Sequence, residues 1–263
     1  MYRLETLPNF NKDEKKIFKV IIVLLFLVAV IICIKDNGYK VLAIMGENFE
    51  DSLPIYSVNR DEQVLSITFD AAWGDEDLEQ ILQILNSHNC KATFFVTGDW
   101  ATRYPEAIKK IVKNGHDVGN HGANHKHMTS LSREEMIAEI EGCHNIIKSI
   151  SGYEMNLFRA PYGDYNESVI LAAKAKNYYT IQWDVDSLDW KDYGAESVIN
   201  TVCNNKNLKN GSIVLLHNGS KYTAEALDEL LTRLEEKGYK FVPVSELIFT
   251  DEYTIDHTGR QFK

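Results

Sequence analysis

Apolar and polar positions along this chain follow three different rules. Val20 to Ile34 is apolar without interruption over 15 residues, led in by Ile17, Phe18 and Lys19. A helix packed against the core of a soluble domain of this size keeps a polar face toward water, and this run has none. A full membrane span takes about 20 residues, and Lys19 and Lys35 extend the usable length by reaching toward the two interfaces. Lys12, Lys15, Lys16 and Lys19 precede the run, which keeps the N-terminus cytoplasmic. No small-x-small cleavage site follows it, as a removed signal peptide would require. The expectation is a cytoplasmic tail over 1–16 and a transmembrane signal anchor over 17–35. The chain is then a single-pass protein of the cell membrane, with the remainder extracytoplasmic.

Residues 36–62 mix Gly, Asn, Ser and Pro54 without periodicity and read as a stalk. Beyond them short apolar runs alternate with segments of helical spacing. Val64–Phe69 and Ala92–Val96 read as strands around a 75–88 helix that carries Leu78, Ile81, Leu82 and Leu85 on one face. Pro105 suits the first turn of a helix to Lys113 stopped by Gly115, and Ser132-Arg133-Glu134-Glu135 is a capping box opening a helix to about Ser149. Further helices are expected near Glu167–Lys176, Ala195–Asn204 and Thr223–Glu236, with a closing strand at Lys240–Val244. About seven β/α units with right-handed crossovers predict an α/β domain over 63–248, a distorted (β/α)7-type TIM-like barrel. The polar tail over 249–263 is expected to be loosely held. No internal repeat interrupts the pattern.

Charge and cysteine content change this picture little. A formal net charge of -10 offers no basic surface, so no nucleic-acid partner is expected. Cys33 lies in the apolar run, and Cys90, Cys143 and Cys203 stand apart without a Cys-x-x-Cys pattern. They read as small buried hydrophobes rather than a disulfide framework.

The candidate chemistry sits where apolar runs end. In a repeating β/α fold the carboxyl ends of parallel strands gather on one face, where active sites lie. Asp70 ends Val64-Leu65-Ser66-Ile67-Thr68-Phe69, either as a helix N-cap or as a general base. His121 and His125, four apart, are either polar surface or two imidazole donors to one metal, with His116 and His127 close by. Imidazole and carboxylate without thiolate suit zinc, and also cobalt, nickel or manganese. His217 ends Ser212-Ile213-Val214-Leu215-Leu216, as a core histidine or as a general acid. Arg159 opens Arg-Ala-Pro-Tyr-Gly and is able to pair with a catalytic carboxylate. Pro161 and Gly163 form a turn that offers the Tyr162 N–H to an oxyanion. Asp189 is a carboxylate to orient an imidazole, and Trp190 is an indole to stack on a sugar; it and Trp183 are equally at home in a core.

Together these motifs resemble the polysaccharide deacetylase family, the NodB-homology domain of carbohydrate esterase family 4. The resemblance runs from about Leu65 to Leu247, in the family's order. It implies metal-dependent hydrolysis of N-acetyl groups on an amino-sugar polysaccharide, peptidoglycan or a chitin-like oligomer, by a metal-bound water. By the same resemblance Asp70 is the base, His217 the acid, Arg159 the partner of the base and Asp189 the partner of the acid. Tyr162 supplies the oxyanion donor, His121 and His125 bind the metal, and Trp190, Leu215 and Pro161 contact substrate. One position departs. The family's Thr-Phe-Asp-Asp reads Thr68-Phe69-Asp70-Ala71 here, and its second aspartate is a metal ligand. Either Asp75 or Asp77 substitutes, or water fills the place, or the metal is weakly held. The alternatives to an N-deacetylase are an inactive glycan-binding relative and an O-acetyl esterase on another polysaccharide.

Overall fold

The computed structural model describes residues 53–263; the proposed anchor and most of the stalk lie outside the described residues. Among the described residues no helix is long and apolar enough to cross a membrane. The first strand, β1 (Ser57–Val58), is followed by β2 (Val64–Ala71), the central strand of the domain. All but the first residue of β2 are buried, as expected of a parallel strand covered on both faces. Helix α1 (Leu78–Ser87) then packs Leu78, Ile81, Leu82 and Leu85 inward, the face expected from their spacing.

The alternation continues through β3 (Thr93–Val96) and a short helix α2 (Gly98–Arg103), which the sequence pattern did not predict. Its signal is the Thr97 cap, whose side chain accepts from the Trp100 N–H. Next come α3 (Pro105–Lys113), opened by its proline, β4 (Asp117–Asn120) and α4 (Arg133–Ser151). The capping box of α4 is complete, with Ser132 and Glu135 exchanging side-chain-to-backbone hydrogen bonds, and Gly152 ends the helix in the left-handed region. Then follow β5 (Leu157–Phe158), α5 (Glu167–Lys174), β6 (Tyr179–Thr180), β7 (Val185–Asp186), α6 (Ala195–Cys203), β8 (Ile213–His217) and α7 (Thr223–Glu236). The expected closing strand is shorter, β9 (Lys240–Phe241), because Val244–Leu247 turns into a helical segment, α8.

The strands form a parallel sheet in the order β6-β5-β4-β3-β2-β8-β7, with β9 beside the start of β2. The two edge strands, β6 and β7, are consecutive in sequence, so the sheet curls toward closure around the residues that join them. The N-terminal segment lies in that gap. Ile55 bridges Ile181 beyond β6, and Ser57 bridges Ser212 before β8. A curled parallel sheet ringed by helices is the α/β architecture that the alternation implied.

Both domain ends correct the sequence expectation. The segment before residue 63 is not a stalk throughout, since Ile55 and Val58 are core residues. The tail is not loose: β10 (Thr254–Ile255) and β11 (Arg260–Phe262) form a small sheet with β1. Gln261 is fully buried and exchanges hydrogen bonds of 2.8 and 2.7 Å with the Phe249 backbone. Gly211 makes this docking possible. At φ 79° a Cβ there would lie 1.9 Å from the Val58 carbonyl oxygen. Cys90, Cys143 and Cys203 are free thiols in buried positions, as small hydrophobes.

Candidate active site

The register of the sheet brings the site together. In β2 and β8 Thr68 faces Leu215 and Asp70 faces His217. Side chains alternate along a strand, so these four point to one side, the inner face of the curl at its carboxyl end. Arg159, just past β5, is fully buried beneath them. Its Nη1 donates to Asp70 Oδ1 at 2.7 Å and to Thr68 Oγ1 at 2.9 Å, and its Nη2 donates to the Gln182 carbonyl at 3.0 Å. The guanidinium also lies over the Phe95 ring, 4.0 Å from its centroid. Burial alone would raise the Asp70 pKa, but Arg159, His121 and His217 together with the Arg159 hydrogen bond hold it below the ordinary carboxylate value.

A second pair is built alongside. Asp189 Oδ1 accepts from His217 Nδ1 at 2.8 Å, and Oδ2 accepts from the His217 backbone N–H at 2.7 Å and the Thr223 hydroxyl at 2.6 Å. Burial depresses the His217 pKa, yet the Asp189 hydrogen bond and the charges of Asp189, Asp70 and Asp186 raise it above the ordinary value. One strand neighbour is therefore held as a carboxylate and the other favours its protonated form, a pairing suited to taking one proton and giving another.

Asp70 and His217 open into a cavity of about 450 Å³. Leu215 forms part of its wall, and Trp73, Trp183 and Trp190 surround it with indole faces. Tyr162, in the turn Pro161–Gly163, adopts a left-handed φ of 62°. Its N–H has no acceptor among the described residues and remains available to a bound oxygen. Its hydroxyl lies 3.0 Å from His125 Nδ1. Pro161 corrects the expectation of a substrate contact. It is buried near Gly122 and does not line the cavity, because its role in the turn carries it inward.

His121 and His125 both line the cavity, with ring centroids 5.0 Å apart. The Arg159 carbonyl, 2.8 Å from His121 Nδ1, accepts that N–H and leaves the Nε2 lone pair free on the cavity side, 3.5 Å from Asp70 Oδ2. Burial lowers the pKa of both imidazoles, that of His125 to about 4. These are two well-prepared donors, but a third is missing. Among the described residues no three His, Cys, Asp or Glu side chains are grouped to hold one metal ion. The position after Asp70 carries the buried Ala71, and Asp70 itself is committed to Arg159. Asp75 and Asp77 do not substitute. Neither lines the cavity; both belong to the turn into α1, where Asp75 accepts the Leu78 N–H through its carbonyl and Asp77 Oδ2 accepts the Gly219 N–H at 2.8 Å. The residues present do not make a complete three-ligand metal centre.

A model of the family described as polysaccharide deacetylase matches residues 57–181. A peptidoglycan-N-acetylglucosamine deacetylase of Bacillus cereus is 37% identical over 199 residues, covering 73% of this chain and 92% of the relative. The chain belongs to the polysaccharide deacetylase family. A peptidoglycan-N-acetylmuramic acid deacetylase of Bacillus subtilis is 36% identical over 191 residues, 73% of this chain and 40% of that protein. The chain thus spans well under two thirds of that relative, and 60% of another from the same organism. A solved polysaccharide deacetylase relative superposes with a TM-score of 0.71 at 34% identity, covering 74% of this chain and 69% of that one: a CE4 family pseudoenzyme from Bacillus anthracis. A mutant of that pseudoenzyme has restored enzymatic activity.

Within this family member, sequence reasoning named Asp70, Arg159, His121, His125, Tyr162, Asp189, Trp190, Leu215 and His217 as site residues, and the structure gathers all of them at one mouth. Arg159 and Asp189 stand behind the cavity wall as partners of Asp70 and His217. His116 is unrelated: it is buried, accepting the Ala92 N–H, and burial lowers its pKa to about 4. No role was read from the sequence for Trp73, whose ring centroid is 5.5 Å from that of His217, or for Asp186. The available signal for Asp186 was its place at a strand end in the same run as Asp189.

Proposed function

We propose that this chain removes N-acetyl groups from an amino-sugar polysaccharide, peptidoglycan or a chitin-like oligomer, outside the cytoplasm and tethered by its N-terminal apolar run. The observation that carries the proposal is the pair of buried couples on adjacent strand ends, Asp70 with Arg159 and His217 with Asp189, opening into one cavity. A protein that only held glycan would have no use for a carboxylate whose pKa is lowered beside an imidazole whose pKa is raised. In this proposal the sugar stacks on the indoles of Trp73 and Trp190, and the acetyl methyl lies against Leu215. Asp70 removes the proton from a water that attacks the amide carbon. The Tyr162 N–H stabilises the developing oxyanion, and the tetrahedral carbon then expels the amine, which takes its proton from His217.

The second proposal, a glycan-binding relative with little activity, is favoured by Ala71. The likeness to a pseudoenzyme accords with it. An O-acetyl esterase retains the same machinery with a poorer need for His217, since an alkoxide leaves more easily than the unprotonated nitrogen of an amide. Zinc, with cobalt, nickel and manganese after it, is the proposed cofactor, and the incomplete donor set makes its necessity an experimental variable.

The test is acetate release by the full-length chain from peptidoglycan, N-acetyl-chitooligosaccharides and an O-acetylated polysaccharide. It is run after chelation and again with each metal. Release from the N-acetylated polymers, lost in Asp70→Asn and His217→Ala, supports the deacetylase. Binding without release under every condition supports the binding protein, and release from the O-acetylated polymer alone supports the esterase.

A further inference from the structure

Asp186 is the acidic group of the cavity that the proposed chemistry does not use. It ends β7 in register with Leu215, so it shares the inner face with Leu215 and His217 and lines the same cavity. The other two carboxylates of the site are each matched by a cation, Asp70 by Arg159 and Asp189 by His217. Asp186 has no ion pair among the described residues. Oδ1 accepts the Leu188 N–H at 2.9 Å, and Oδ2 accepts no hydrogen bond among the described residues. Among the described residues no lysine or arginine lines that cavity. The adjacent Lys191 lies over the outer indole of Trp190, with Nζ 5.0 Å from the ring centroid.

We propose that Asp186 selects the sugar by charge, so that the site accepts a neutral N-acetylhexosamine and disfavours one whose substituent ends in a carboxylate. This rests on the deacetylase reading and deepens it by naming the substrate class. The free carboxylate oxygen accepts a hydrogen bond from a ring hydroxyl of a neutral sugar. A sugar carrying a free 3-O-lactyl group, as N-acetylmuramic acid does, brings a further carboxylate toward Asp186, which has no ion-pair partner among the described residues, and like charges so placed are discriminated against. The competing account is architectural. The Asp186-to-Leu188 contact is an Asx-type turn that sets the left-handed Leu188, with φ of 56°, ahead of Asp189. Asp186→Asn keeps that turn and removes only the charge, so it separates the two.

The experiment uses the full-length chain and three probes. These are tetra-N-acetylchitotetraose, a tetrasaccharide alternating N-acetylglucosamine with N-acetylmuramic acid bearing free lactyl carboxylates, and the same tetrasaccharide with those carboxylates amidated. Acetyl loss is located by mass spectrometry. The expected result is at least about tenfold faster loss from the neutral sugar than from the carboxylate-bearing one, a factor worth about 1.4 kcal/mol. Amidation, Asp186→Asn and raised salt should each narrow that ratio, while Glu134→Gln on the exposed face of α4 should not. Equal or faster loss from the carboxylate-bearing sugar overturns the proposal and leaves the deacetylase reading intact. So does a ratio that Asp186→Asn does not move. If no probe loses acetate, the same ratio is read from dissociation constants by calorimetry. Selectivity there upholds the role of Asp186 while the deacetylase reading falls, and absence of binding by all three overturns both.

Discussion

Asp70 and Arg159 form a buried ion pair, and such a pair matters most when half of it is removed. Asp70→Asn leaves an uncompensated guanidinium under the cavity, at a cost of about 3–5 kcal/mol measurable by urea unfolding. It should also lower kcat/KM for acetate release by about 10²–10⁴. His217 makes its own prediction. A histidine acting as an acid is competent below its folded pKa, which here lies above the ordinary 6.5. Activity should therefore fall as pH rises through that value. Asp189→Asn removes the largest favourable influence on it and should move the alkaline limb of the pH–rate profile downward. Ala71 is the residue-scale exception. Ala71→Asp should raise zinc affinity at least about tenfold, measured by competition with a chromophoric chelator, because a direct ligand counts for no less than the outer contacts that shift affinity 10–100-fold. Unchanged affinity would mean that the strand end does not aim the new carboxylate at His121 and His125.

At the scale of elements, α1 and α7 are clamped by His88, whose Nε2 lies 3.1 Å from Asp228 and whose Nδ1 lies 2.9 Å from Glu235. Burial works against the charged ring, but the two carboxylates raise its pKa above the ordinary histidine value. A group whose folded pKa is raised stabilises the fold fully below its unfolded pKa, and that stabilisation is lost as pH rises through the folded pKa. The pairs are near the surface, so each contributes at most about 1 kcal/mol. His88→Gln should be less stable than the parent at about pH 5 and nearly equal to it at about pH 8, by chemical denaturation. Helices were legible in the sequence because their signals are local. Ser132 with Glu135, Pro105 and the leucine spacing of α1 each act within one or two turns. Helix α2 was missed because six residues are too short for periodicity to register, and its Thr97 cap was the one available sign.

At the scale of the whole molecule the N- and C-terminal segments close the domain together. Removal of residues 250–263 deletes β10 and β11, uncovers Ile55, Val58 and the gap between β6 and β7, and should cost about 4 kcal/mol, roughly 10 °C in Tm by calorimetry. A change of under a few degrees would show that the small sheet is an ornament on an independently stable barrel. The sequence expectation put both segments outside the domain. Their strands are two or three residues long, and such strands have no alternation to read until a partner supplies one.

What this sequence determined by itself is whatever depends on neighbours along the chain: the helix caps, the apolar strand runs, and the polar residues set at the ends of those runs. That was sufficient to name Asp70, His121, Arg159, Asp189 and His217 as one chemical set, because parallel strands must deliver their carboxyl ends to one rim. Only the tertiary structure decided which neighbours each group met. Register put Asp70 beside His217, the curl of the sheet put Arg159 under both, and the turn into α1 committed Asp77 to Gly219 instead of to a metal. The same curl turned Asp186 toward the cavity, where it has no ion-pair partner among the described residues. Charge compensation is a property of distances in space, which residue spacing along the chain does not encode.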